Sequence, residues 1–69
     1  MPLGERIKLA RQAAGISQEE LAEKIGTKQS QVWRWESNRA EPRISFLKKI
    51  AEVTGVPLID LIADEETGK

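Results

Sequence analysis

Apolar positions recur along the chain at helical spacing in five separate stretches. Leu3, Ile7, Ala10 and Ala14 follow at intervals of four and three, which puts them on one face of a first helix. Gly15 is placed to end that helix in the left-handed conformation. The segment from Gln18 to Trp35, QEELAEKIGTKQSQVWRW, then carries two shorter stripes: Leu21, Ala22 and Ile25 before Gly26, Val32 and Trp35 after it. Both stripes must face a common core, so the segment predicts two short helices folded sharply on each other. Gly26 lets the backbone turn there with positive φ. The small side chain of Ala22 lets the helices cross closely.

The boundaries have their own chemistry. In Ile16-Ser17-Gln18-Glu19-Glu20-Leu21, Ser17 is the N-cap, Glu20 closes a capping box, and Ile16 can staple against Leu21. The third helix spans about Gln29 to Glu36 and is entered through Thr27 or Lys28, Thr27 being the better cap by chemistry. A loop from Ser37 to Pro42 follows, with Asn38 as the left-handed residue. The fourth helix is expected over Ile44 to Thr54, burying Leu47, Ile50, Ala51 and Thr54 and stopping at Gly55. Pro57 suits the first turn of a short fifth helix whose Leu58, Leu61 and Ile62 close the underside of the core. With no internal repeat, the pattern predicts an all-α, compact five-helix bundle over residues 1–63 and a disordered polar tail at 64–69.

Composition narrows the functional classes. Sixty-nine residues allow one domain with a small core and leave no room for a second, catalytic one. The chain has neither cysteine nor histidine, so disulfides and thiolate or imidazole metal sites are excluded. No apolar run is long enough to span a membrane, and MPLGERIK lacks the apolar segment of a signal peptide; a soluble, cytoplasmic protein is expected. Only carboxylates and lysines remain for catalysis. Glu19 and Glu23 lie one helical turn apart on a solvent face, and Asp64 to Glu66 fall in the tail. Neither group has the desolvated setting that tunes a catalytic pKa. Neither an enzyme nor a cofactor is expected.

Eleven basic residues balance eleven acidic ones, yet their distribution is uneven. Between Gly26 and Lys49 stand six bases, Lys28, Arg34, Arg39, Arg43, Lys48 and Lys49, against Glu36 and Glu41, whereas Asp60 to Glu66 holds four acids and no base. A basic patch is the minimum electrostatic requirement for binding nucleic acid, although an uneven solvated surface has the same appearance. This patch surrounds the outer side of the third helix, where Gln29, Ser30, Trp33 and Arg34 form a row of hydrogen-bonding groups with one indole.

These residues resemble the helix-turn-helix DNA-binding domains of the phage lambda repressor, Cro and Xre-like family. The similarity runs from Leu3 to Ile62 and rests on Ala22, Gly26 and Val32 at the family's spacing, with Leu21, Ile25 and Trp35 at flanking core positions. It rests also on Ser-Gln-Glu-Glu-Leu-Ala at Ser17 to Ala22, Trp-Glu at Trp35 and Glu36, and Gly55-Val56-Pro57. The resemblance implies a five-helix bundle whose helix-turn-helix motif, residues 18–36, sets its second helix in the major groove of double-stranded DNA. It implies base contacts from Gln29, Ser30 and Arg34, in keeping with the pairing of Gln with adenine and Arg with guanine. By the same resemblance Gln18, Lys28, Ser37 and Arg39 hold phosphates, and Arg11 and Glu36 form an ion pair linking the first helix to the end of the third.

The sequence departs from the family at two slots. Lys28 stands where a Ser or Thr cap is common, and Trp33 where a small or polar residue is usual. Trp33 can lie against sugars, meet a thymine methyl as a further base contact, or cover the neighbouring helix surface.

One recognition helix on a neutral chain reads few bases, so a homodimer on a near-palindromic operator is expected. The apolar residues left after filling the core, Phe46, Val53, Val56 and Ile59, are the expected dimer interface. The function implied is a transcriptional regulator, chiefly a repressor, with possible contact to RNA polymerase and no small-molecule ligand. The alternative is a protein-interaction module on the same fold, such as an antitoxin or adaptor domain.

Overall fold

The computed structural model describes residues 1–62; the predicted tail at 64–69 lies outside the described residues. Five helices follow in order: α1 (Leu3–Ala13), α2 (Gln18–Ile25), α3 (Gln29–Glu36), α4 (Ile44–Thr54) and α5 (Leu58–Ile62). Helix α3 packs on α1 and α2, α4 packs on α1 and α2, and α5 closes against α1 and α4. Among the described residues no helix is long and apolar enough to cross a membrane.

The local signals operate as their chemistry requires. The Glu20 backbone N–H donates to Ser17 Oγ (3.0 Å), and the Ser17 N–H donates to Glu20 Oε1 (2.9 Å), so both halves of the capping box form. Helix α2 ends at Gly26 in the left-handed region, φ 83° and ψ 36°. The N–H groups of Gly26 and Thr27 both donate to the Ala22 carbonyl at 2.9 Å. Thr27 is thereby used in leaving α2, and Lys28 becomes the N-cap of α3, with φ −105° and no side-chain capping bond. The better capping side chain is passed over because the turn geometry has already claimed its residue.

Each helix contributes its predicted stripe to one core: Ile7 and Ala10, Leu21, Ala22 and Ile25, Val32 and Trp35, Leu47 and Ile50, and Leu61. Burying a Leu or Ile side chain fully contributes about 1.5–3 kcal/mol. The Trp35 ring lies 5.3 Å from that of Phe46 at a tilt of 46°, a favoured aromatic arrangement.

Several expectations are corrected. Ala14 is the exposed C-cap of α1, Ile62 is exposed, and Ala51 and Thr54 are half-buried. Phe46, Val53 and Val56 are not left over after the core is filled but pack on it in part. Ile59 is 64% exposed, and Leu9 and Ile44 are also exposed.

Two polar devices fix where α3 sits. In the first, Arg11 of α1 grips Glu36 at the end of α3 with two hydrogen bonds, Nε to Oε2 at 2.6 Å and Nη2 to Oε1 at 3.1 Å. The Arg11 side chain is 11% and the Glu36 side chain 4% exposed. The second device was not foreseen. Asn38 takes the expected left-handed conformation at φ 62°, and its Oδ1 accepts from the Gly4 N–H at 3.0 Å. The N-cap of α1, Pro2, offers no side-chain bond, so a residue 34 positions away caps this helix instead. The approach is close enough that a Cβ on Gly4 would come within 3.0 Å of the Trp35 and Glu36 carbonyl oxygens and of Asn38 Oδ1. Glycine is needed at position 4 for space.

Gly4→Ala should therefore destabilise the fold by about 1–3 kcal/mol, the usual cost of overpacking against atoms that cannot withdraw; an unchanged urea midpoint would mean that α1 slides off α3 at no cost. For the ion pair, Glu36→Ala should cost about 3–5 kcal/mol by leaving Arg11 without its partner. Urea unfolding of the double variant Arg11→Met, Glu36→Leu should recover most of that loss, because no charge is then left unpartnered.

Candidate nucleic-acid interface

Helix α3 turns Val32 and Trp35 inward and is tied at its C-terminal end through Glu36 and Asn38, which orients its outer side relative to the domain. Gln29, Ser30, Trp33 and Arg34 all emerge there and are exposed; Lys28, Ser37 and Arg39 are exposed beside them, and Gln18 is half-buried. The structure thus brings together on one side the residues that the sequence singled out.

A chain of hydrogen bonds connects this surface to the interior. Glu36 Oε1, already held by Arg11, also accepts from Gln18 Nε2 at 2.9 Å, and Gln18 Oε1 accepts from Gln29 Nε2 at 2.6 Å. The direction of the chain follows from chemistry. An ionised carboxylate only accepts, so Gln18 must turn its NH₂ inward and its carbonyl outward; Gln29 must then spend one N–H on Gln18. What Gln29 has left is a carbonyl oxygen and one N–H, the acceptor and donor needed to pair with N6 and N7 of adenine. Sequence reasoning placed Gln18 and Glu36 in separate roles and missed that they form one relay. No local signal could have joined them, since they meet only across the α2–α3 crossing.

The remaining groups divide by how free they are. Ser30 and Arg34 make no side-chain hydrogen bond to the described residues. The Ser37 hydroxyl donates to the Trp33 carbonyl at 2.8 Å, so its donor already serves the C-terminus of α3. The guanidinium of Arg39 lies 5.1 Å from the centroid of the Trp33 ring. Trp33 is 46% exposed against 2% for Trp35, which separates the surface indole from the core one.

Electrostatics favour an anion more than the sequence count suggested. All six bases between Gly26 and Lys49 are exposed, whereas of the two acids Glu36 is buried against Arg11 and only Glu41 is exposed. The first turn of α3 itself has no acidic side chain, while Glu19, Glu20 and Glu23 of α2 line a surface cavity together with Thr27, Lys28 and Gln29 at its start. Glu19 and Glu23 are exposed on α2. Of the residues expected at a dimer interface, Ile59 projects from α5 while Phe46, Val53 and Val56 are half-buried.

Comparison with known proteins agrees with this architecture. A family model described as helix-turn-helix matches residues 7–61. The chain is 33% identical over 69 residues to the HTH-type transcriptional regulator ImmR of Bacillus subtilis (strain 168), covering all of this chain and 54% of that protein. It is 33% identical over 52 residues to the cryptic phage CTXphi transcriptional repressor RstR of Vibrio cholerae, covering 75% of this chain and 47% of that protein. The HTH-type transcriptional activator BcrR of Enterococcus faecalis is 29% identical over 66 residues, or 96% of this chain and 32% of BcrR. The chain therefore spans between a third and about half of the length of these curated relatives.

Among solved structures, the P22 c2 repressor in complex with a synthetic operator superposes with a TM-score of 0.86 at 23% identity, covering 94% of this chain and 98% of that one. A chain of the SinR protein/SinI protein complex superposes with a TM-score of 0.84 at 35% identity, covering 97% and 66%. The fold is the five-helix bundle of lambda-repressor-like DNA-binding domains. By the family model spanning α1 to α5, and by the turn at Gly26 that crosses α2 with α3, the chain belongs to the helix-turn-helix family.

Proposed function

We propose that this chain is a sequence-specific, double-stranded DNA-binding transcriptional regulator, acting chiefly as a repressor in the cytoplasm and reading a near-palindromic operator as a homodimer. Residues 1–63 form the reading domain. The observation that carries this is the relay from Arg11 through Glu36 and Gln18 to Gln29. It spends buried polar chemistry on orienting one exposed amide, on the same helix as the exposed Arg34 and adjacent in sequence to the exposed Lys28. Gln29, Ser30 and Arg34 face base edges, with Gln29 suited to adenine and Arg34 to guanine. Lys28 and Arg39 meet the phosphate backbone; Ser37 joins them by turning its hydroxyl away from the Trp33 carbonyl, and Gln18 through the second N–H of its NH₂, since its carbonyl accepts from Gln29. Relatives named as transcriptional regulators and repressors support the same reading.

Two copies related by a two-fold axis would set their α3 helices about 34–36 Å apart, one turn of duplex. Ile59, with the half-buried Phe46, Val53 and Val56, supplies the apolar contact. Repression follows from occluding a promoter. The exposed acids of α2, Glu19, Glu20 and Glu23, offer a surface by which the same domain can touch RNA polymerase. A protein-interaction module such as an antitoxin or adaptor domain would need the fold but have no use for an oriented Gln29 beside Arg34.

Selection from random duplex DNA should enrich a near-palindrome. Gln29→Ala or Arg34→Ala should each cost about 1–3 kcal/mol on it, the discrimination of one lost bidentate pair, and relax the preference at one position of each half-site. Enrichment of no sequence, with residual binding that vanishes steeply with salt, would remove the reading. For the dimer, sedimentation of Ile59→Glu should give a folded monomer with poor operator affinity; association equal to that of the unsubstituted chain would exclude this surface.

A further inference from the structure

We propose that Trp33 is a positioning residue for Arg39, holding its guanidinium ready for a DNA phosphate rather than reading bases itself; this rests on the DNA-binding reading above. Trp33 contributes little to the core, being 46% exposed. A large indole on the outer side of a recognition helix therefore needs another reason. Its ring is occupied, for the Arg39 guanidinium sits 5.1 Å from its centroid, within the range of a cation–π contact, for which Trp is the best partner.

The backbone makes this contact more than a chance meeting of two surface side chains. Asn38 at φ 62° reverses the chain after α3. The N–H groups of Arg39 and Ala40 then both donate to the Arg34 carbonyl, at 2.8 and 3.3 Å. The Arg39 backbone is thus pinned beside the last turn of α3, one residue from Trp33 on that helix, while Asn38 itself is tied to Gly4. A free arginine gives up much rotamer freedom when it grips a phosphate; one already held over a ring gives up less. A guanidinium over an indole keeps N–H groups at its edge for phosphate oxygens. Because phosphates carry no sequence information, Trp33 should raise affinity for every duplex equally.

The test is a double-variant cycle on the full chain, using a labelled duplex recovered by selection and its shuffled counterpart across a salt series. Trp33→Ala should weaken binding to both duplexes by the same factor, about two- to fivefold. Arg39→Ala should lower the salt slope by about 1. Adding Trp33→Ala to Arg39→Ala should change nothing further, and Trp33→Phe should restore part of the loss. All variants should melt with the unsubstituted chain, since both side chains are exposed. The proposal is overturned if Trp33→Ala has no effect, if its effect adds to that of Arg39→Ala, or if the penalty differs between the two duplexes. A chain that binds both duplexes equally defeats the sequence-reading function while the cycle still decides the role of Trp33; a chain that binds neither defeats both.

Discussion

The carboxylate of Glu36 accepts hydrogen bonds from Arg11 Nε, Arg11 Nη2 and Gln18 Nε2, drawn from two other helices, while its side chain is only 4% exposed. A charge so placed would be costly without those donors, so α1, α2 and the end of α3 must occupy the positions that supply them. The apolar core cannot do this alone. Hydrophobic burial is non-directional, and a stripe of Val32 and Trp35 would tolerate small rotations of α3 about its axis. A bidentate guanidinium and an amide on one carboxylate do not, and this sets the angle at which the outer face of α3 is presented.

The same carboxylate alters what the surface offers to a partner. With Glu36 neutralised inside by Arg11, the exposed charge between Gly26 and Lys49 is six bases against Glu41. The chain is neutral as a whole, and its exposed charge over this stretch is predominantly basic. The start of α3 takes this further at a local cost. It has no capping side chain and no acid in its first turn, where a good N-cap is worth about 1 kcal/mol. Burial of Val32 and Trp35 compensates within the same helix. What breaks the local rule is the start of the helix proposed to face DNA, as expected where function competes with stability.

Much of this was legible in the sequence wherever the determinant is local. The capping box at Ser17 and Glu20, the left-handed turns at Gly26 and Asn38, and the stripe of α2 rest on neighbours within about four residues and were read correctly. Of the α4 stripe, Leu47 and Ile50 are buried as expected and Ala51 and Thr54 only in part. Three features were not legible, the first because two local signals compete for one residue and the others because their determinants lie far apart in sequence. The entry to α3 passes to Lys28 because the exit from α2 has already engaged the Thr27 N–H. Gly4 has no turn to make and gives no signal until Asn38 and the Trp35 and Glu36 carbonyls arrive against it. Which apolar residues stay exposed was also misjudged. Phe46 is taken up by the Trp35 ring of another helix, while Leu9 and Ile44, not singled out, remain in solvent.

The site was legible as a set of residues but not as a connected object, and the connection decides how stability and recognition are coupled. Arg11, Gln18 and Glu36 serve both: they fix α3 and, through Gln18, turn the Gln29 amide. A change there should move unfolding and base preference together, and altered specificity at those positions would say nothing about direct contact with DNA. Ser30, Trp33, Arg34 and Arg39 are exposed and make no side-chain hydrogen bond to the described residues. A change there can alter recognition with the fold untouched. New sequence preferences should therefore arise more readily along the outer row of α3 than through the relay beneath it, even though the relay gives that row its geometry.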